Sequence, residues 1–208
     1  MQTIGYPEEA KAIQLEYDGP RWTPPWDVKV LCYLAQEAGG TILEIGCNEG
    51  RTTRELALAC PDQMVIGVDS SNQEAVGQMV IEQRHEGPPA DRIGAHAKSL
   101  PNVHILDYPS HMVWNGLLRH GGVTVPADWG ELGFAFIDGN HSYAGVKADT
   151  EMALDYFVPR HKGIIAWHDC YVGCPKWCGV KEYLETEVER FFEVKQIADT
   201  WIATLTIT

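Results

Sequence analysis

The segment "FAFIDGNHSY" ends an apolar run on Asp138 and places His141 three residues later, while "GIIAWHDC" ends another on the adjacent pair His168 and Asp169. Carboxylates and imidazoles in such a set have two uses. The oxygens, with or without an imidazole nitrogen, can hold a divalent cation, and a neutral imidazole can take a proton near pH 7. Both uses suit activation of a hydroxyl for attack. One polar residue at a strand end is ordinarily a helix cap or a turn former, and Asp138 before Gly139 reads that way in isolation. Four on two neighbouring strand tips read as a site. Asp138, His168 and Asp169 are the candidate metal ligands, and Asp138 and His141 the candidate catalytic residues, with His141 as general base.

A second group lies upstream. In "TILEIGCNEGRTT" a short apolar run carries Glu44 near its end, and Gly46 and Gly50 bracket Cys47, Asn48 and Glu49. The glycines allow a tight turn and close backbone approach to a ligand, and a helix starting near Arg51 offers unpaired N–H groups. A dinucleotide turn expects G-x-G-x-x-G with a pyrophosphate on the helix start, whereas E-x-G-x-x-x-G puts a carboxylate where a cation is preferred. Asp69 and Ser70 follow the run "VIGV", nineteen residues past Gly50, and Asp107 ends "VHIL". An acid at the second strand tip is placed to accept ribose hydroxyls. Glu44, Gly46, Cys47, Asn48, Gly50, Asp69, Ser70 and Asp107 are therefore the candidate cofactor-binding residues.

The elements that must position these groups alternate. Strands are expected at "TILEIG", "MVIGVDS", "NVHILD", "LGFAFIDG" and "GIIAWHD". Helices are expected at "PWDVKVLCYLAQEAGG", "RTTRELALAC", "NQEAVGQMVIEQRH", "HMVWNGLLRHG" and "YAGVKADTEMALDYF". Short strands separated by helix-length segments give right-handed crossovers around a parallel sheet, with ligands beyond the carboxyl ends of the strands. "VKEYLETEVERFF" adds a helix, and "EVKQIAD" and "TWIATLTIT" follow too closely to pair other than as an antiparallel hairpin.

Acids at successive strand tips around a glycine turn fit a nucleoside that carries a positive centre, as S-adenosylmethionine does. Here the chain, from about Trp26 to the C-terminus, resembles the class I S-adenosylmethionine-dependent methyltransferases. Glu44, Gly46 and Gly50 match the first motif of that family, Asp69 its ribose-binding acid and Asp107 the acid near the adenine. The fold implied is α/β: a Rossmann-like, doubly wound mixed sheet, mostly parallel, with a C-terminal antiparallel hairpin. Asp138-Gly-Asn-His141 resembles the D-x-x-H segment of the cation-dependent small-molecule O-methyltransferases, which act on catechols or macrolide-attached sugars. In the sugar enzymes that histidine is the base and that aspartate a metal ligand. His168-Asp169 matches the second ligand pair, with a departure: its first member is acidic in both groups and histidine here. Histidine favours a softer ion than Mg²⁺. A metal-free site using His141 or His168 alone therefore stays open, as do another acceptor atom and a non-catalytic module that binds S-adenosylmethionine.

The whole chain bounds the partners. Its 29 acidic and 16 basic residues give a formal charge of −13, which repels nucleic acid and anionic lipid and is compatible with a homodimer. The expected partner is a small molecule bearing a hydroxyl. No secretory signal or membrane-length apolar run is evident, and six cysteines are too few for a disulfide scaffold. Reduced thiols in a cytoplasmic setting are expected. His168, Cys170, Cys174 and Cys178 fit zinc-ligand spacing poorly, so free thiols under a substrate loop are the preferred reading. Residues 1–25 are expected to form a lid, with Tyr6, Tyr17 and Arg21 as contacts, and residues 26–208 the methyltransferase domain. Trp22, Trp26, Trp167, Tyr171 and Trp177 either line the pocket mouth or pack the front segment.

Overall fold

The computed structural model describes residues 1–16, 23–71, 89–119, 122–124, 126–171, 173–175 and 177–208. The helix expected at 72–85 and the candidates Tyr17, Arg21 and Trp22 lie outside the described residues. Among the described residues, eight strands form one sheet: β1 (Gln2–Ile4), β2 (Thr41–Ile45), β3 (Val65–Asp69), β4 (Val103–Asp107), β5 (Leu132–Ile137), β6 (Gly163–Trp167), β7 (Lys195–Ile197) and β8 (Ala203–Ile207). Their spatial order is β1-β7-β8-β6-β5-β2-β3-β4. The five crossover strands from β6 to β4 are parallel, and β8 enters antiparallel between β6 and β7. The expected mixed sheet and closing hairpin are both present. β1 is an addition: Gln2–Ile4 pairs parallel with β7 at the sheet edge, a three-residue strand with no alternation to announce it.

The described helices are α1 (Glu8–Ala12), α2 (Pro25–Ala38), α3 (Arg51–Ala59), α4 (Ser110–Leu117), α5 (Tyr143–Phe157) and α6 (Val180–Thr186). Pro25 opens α2 where a missing N–H costs nothing, and Ser142 caps α5 by accepting the Gly145 N–H at 3.1 Å. None of the described helices is long and apolar enough to cross a membrane.

Strand alternation decides which face each residue meets. Ile42, Phe134, Phe136, Ile164 and Ala166 belong to a core layer with Val28, Leu31 and Leu56 from α2 and α3. Their neighbours Leu43, Ile45, Ala135, Ile137, Ile165 and Trp167 belong to the opposite layer, with Trp114, Phe157 and Leu184. Trp167 is core: its indole N–H donates to Thr150 Oγ1 at 2.8 Å. The same parity sends Glu44 to the α3 side and carries on past the last paired residues of β5 and β6 to Asp138 and His168, on the α2 side.

Candidate active site

The strand order reverses between β2 and β5, and the chain leaving each strand there meets the other. Asp138 N–H donates to Ile45 O at 2.8 Å, extending the ladder by one residue. Gly46 has φ 88°, and a Cβ on it would stand 2.1 Å from the Asp138 carbonyl oxygen. The first constellation therefore touches the second through a contact that only glycine permits.

Beyond Gly46 the loop folds over the end of β3. The N–H groups of Gly46 and Cys47 both donate to Val68 O, and Asn48 takes a left-handed φ of 48°. That turn aims the Asn48 N–H at Asp69 Oδ2, 2.7 Å away, and Ser70 N–H donates to the other oxygen at 2.7 Å. Asp107 lies opposite Asp69 in the β3–β4 register and accepts the Ser71 N–H and hydroxyl at 2.8 and 2.6 Å. Glu44 is 2% exposed and accepts the Thr53 hydroxyl at 2.5 Å, from the first turn of α3. The Cys47 thiol is buried towards Gly67 beneath the loop, so its backbone alone faces a ligand.

The loop also has a brace that the sequence did not announce. Gly94 N–H donates to Asn48 O and His96 N–H to Glu49 O, while Glu49 pairs with Arg51, Arg92 and His96. Gly50, at φ 80°, passes so close to Gly94 that a Cβ would meet its Cα at 2.8 Å.

Electrostatically the cradle is short of positive charge. Burial raises Glu44 to about 8, against the Thr53 bond, with Asp138 and Asp69 adding to the rise. Burial likewise raises Asp69, although the Asn48 and Ser70 amides pull it down, and Asp107 and Asp138 add to the rise. A cationic ligand relieves this mutual repulsion; a pyrophosphate would worsen it.

The side chains of Asp138, His141, His168 and Asp169 lie together and are tightly connected. His141 Nε2 faces Asp138 Oδ1 at 3.1 Å and its Nδ1 faces Asp169 Oδ2 at 3.0 Å. His168 Nδ1 approaches Asp138 Oδ1 at 3.2 Å and Asp169 Oδ1 at 3.5 Å. Burial raises Asp138, but the charge of His168 and the bonds from both histidines win and hold it well below the usual carboxylate range. Burial lowers His168, but Asp138, Asp27 and Asp169 outweigh it and push it up to about 10. His141 behaves alike: burial lowers it, but the Asp138 bond and the charges of Asp138 and Asp169 prevail and raise it above the ordinary imidazole value.

Asp138, His141 and Asp169 present one ligand atom each within 4.8 Å of one another. Two carboxylates are donors that a divalent cation accepts, and because His141 and His168 now contact both, a cation held by Asp138 and Asp169 would take the place of an imidazole contact. His168, read from sequence as a ligand, is 4% exposed and has turned its Nε2 to the Asp27 carboxylate at 3.2 Å. Asp27 had no local signature, since an acid in the first turn of a helix ordinarily complements the dipole.

The loop after β6 carries the remaining contacts. The thiols of Cys174 and Cys178 both donate to Asp169 O, at 3.4 and 3.7 Å, and Gly179 N–H donates to His141 O at 2.7 Å. These bonds hold Trp177, 44% exposed, in a parallel stack over His141 with ring centroids 6.1 Å apart. Tyr171 stacks on Trp201, which tilts onto His168. Among the described residues, no cysteine belongs to a cluster of three metal-ligating side chains.

A family model described as a methyltransferase domain matches residues 43–170, from β2 through the residues just after β6. No curated protein matches the chain. Solved structures do. The calicheamicin methyltransferase CalS11 superimposes with a TM-score of 0.61 at 16% identity, covering 86% of this chain and 76% of that one. An O-methyltransferase from Bacillus cereus in complex with SAH gives 0.55 at 17%, covering 89% and 82%. The O-methyltransferase TomG from Streptomyces achromogenes, involved in tomaymycin synthesis and in complex with SAM, gives 0.52 at 16%, covering 87% and 79%. The matched span holds both constellations and most of the chain, and the sheet order agrees with it: the chain belongs to the methyltransferase domain family, with the fold of the class I S-adenosylmethionine-dependent enzymes.

Proposed function

We propose that the protein transfers the methyl group of S-adenosylmethionine to a hydroxyl of a small molecule, with His141 as the base. The observation that carries this reading is the contact of Gly46 with Asp138, which sets the cofactor turn against the carboxylate that grips His141. Glu44, Asp69 and Asp107 rim the nucleoside side. Asp69 and Asp107 accept ribose and adenine groups in exchange for the amide and hydroxyl bonds they now hold, and Glu44, which burial raises to about 8, ionises more readily once a sulfonium sits nearby. S-adenosylmethionine supplies an electrophilic methyl carbon and leaves as the homocysteine form when its carbon–sulfur bond breaks.

The acceptor hydroxyl takes the place of one carboxylate at the His141 ring, gives up its proton there, and directs its oxygen lone pair at the methyl. A divalent cation held by Asp138 and Asp169 would lower the pKa of that hydroxyl and fix its angle of approach. The exposed face of Trp177 offers a stacking surface for a ring or a sugar face. The front segment is tied to the domain by the Glu16 N–H, which donates to Glu55 of α3, and by the Tyr6 hydroxyl, which donates to Trp26 O, and in this reading it serves as a lid. The acidic surface favours an uncharged or cationic small acceptor over nucleic acid.

The test is release of S-adenosylhomocysteine in the presence of a panel of hydroxyl acceptors, before and after chelation. Turnover that needs an acceptor, falls with chelator and returns with Mg²⁺ or Mn²⁺ supports the full reading. Turnover indifferent to chelator removes the cation and leaves His141 to act alone.

The pH profile gives a second check. Because its carboxylate partners raise His141, the base form is gained at a higher pH than in a free imidazole. The profile of kcat/KM is expected to climb with a midpoint above 6.5. Asp138→Asn weakens the strongest of those partners and moves the midpoint down. A rate that falls over the same range contradicts the assignment.

A further inference from the structure

Asp27 belongs to no motif and is separated from the site by more than a hundred residues of chain, yet its carboxylate is fully buried against it. Strand parity explains the meeting. His168 continues the alternation of Ile164 and Ala166 on the α2 face of the sheet, and α2, running antiparallel to the strands, starts at their carboxyl end. Its first turn therefore delivers Asp27 to the His168 ring. Oδ2 takes the Nε2 contact at 3.2 Å and also accepts the Trp201 N–H at 3.2 Å, from the turn between β7 and β8. Phe136 meets the same ring edge-on at 6.3 Å and Trp201 tilts over it at 5.6 Å.

These contacts leave His168 one orientation. Its Nδ1 then points between Asp138 Oδ1 and Asp169 Oδ1, the two carboxylates that bracket His141. A burial this complete is unfavourable for an isolated carboxylate and is retained where the ion is paired and hydrogen-bonded. We propose that Asp27 is a positioning residue for methyl transfer. Through His168 it fixes the rotamers of Asp138 and Asp169, and so the place of the His141 ring and of the acceptor oxygen. At the position where the resembling enzymes carry an acidic residue, this chain has a histidine steered from a separate helix.

The inference rests on the hydroxyl-transfer reading, and its test separates the two. Asp27→Ala is expected to lower kcat about tenfold or more while the affinity for S-adenosylhomocysteine stays within twofold. Asp27→Asn keeps an oxygen for the ring and the Trp201 amide, and is expected to restore kcat to within about threefold of the unaltered chain. The independent readout is the imidazole ¹⁵N spectrum of the unliganded protein, with the His168 signals assigned by their loss in His168→Asn. The expected result is a proton on Nε2, slow to exchange, whose signal shifts in either Asp27 variant. A bare Nε2 in the unaltered chain overturns the proposal, even if Asp27→Ala does not fold, and so does Asp27→Ala turning over at the unaltered rate. If no hydroxyl acceptor is methylated at all, the transfer reading fails while the ring spectrum still decides the Asp27 contact.

Discussion

His141→Ala is expected to turn over about a hundredfold or more slowly than the unaltered chain and to bind S-adenosylhomocysteine with nearly the same affinity. The split follows from position. His141 sits on the turn after β5, and its ring touches Asp138, Asp169 and Trp177, whereas the cofactor turn is built from β2, β3 and the start of α3. Losing the ring removes the proton acceptor and leaves the hydrogen bonds of Asp69 and Asp107 in place. His141→Asn, which keeps a polar side chain but cannot take a proton at neutral pH, should be as slow as alanine. If asparagine restores most of the rate, the ring is a binding group and not a base. Steady-state rates beside calorimetric affinities decide the matter.

Gly46→Ala is expected to have the other large effect, and here affinity and stability fall together. The residue sits at φ 88°, a conformation that costs a side chain on the order of 1–3 kcal/mol. The added methyl would also stand 2.1 Å from a backbone oxygen and 2.5 Å from its carbon, neither of which can rotate away. Relief requires β2 and β5 to part at their carboxyl ends, which separates the cofactor turn from Asp138. We expect the melting temperature to drop by about 5 °C or more and the affinity for S-adenosylhomocysteine by about tenfold or more. Gly5→Ala serves as control, because a methyl there meets nothing within 4 Å. Unchanged binding in Gly46→Ala would show that the turn is not the cradle.

What the sequence disclosed follows from how local each signal is. Five apolar runs separated by helix-length segments disclose the parallel part of the sheet, because burial on both faces makes β2, β3, β5 and β6 nearly continuous apolar strands. Gly46 and Gly50 are legible because the turn needs glycine there, and Asp69 because it accepts the turn's Asn48 N–H. Asp138, His141, His168 and Asp169 converge because neighbouring strand tips must. The pairing of Gln2–Ile4 with β7 spans nearly the whole chain, and three residues carry no periodicity, so β1 left no trace.

Partner choice within the site was equally hidden. Nothing in "PWDVKV" distinguishes Asp27 from a dipole-complementing acid, although alternation along β6 already places His168 on the α2 face. The cysteines of the loop after β6 read as a poor zinc pattern. Their use as donors to the Asp169 carbonyl, at a residue with φ 56°, depends on a loop path that no spacing encodes.

The central claim, that carboxylates around the strand tips aim a sulfonium methyl at an oxygen beside His141, is tested most directly by locating the transferred carbon. S-adenosylmethionine with a deuterated methyl group would be supplied with acceptors that carry hydroxyl, amine and thiol groups on one scaffold, and the products examined by NMR. The label is expected on oxygen, dependent on His141. Label found on nitrogen or sulfur, or on oxygen at the same rate in His141→Ala, contradicts the claim.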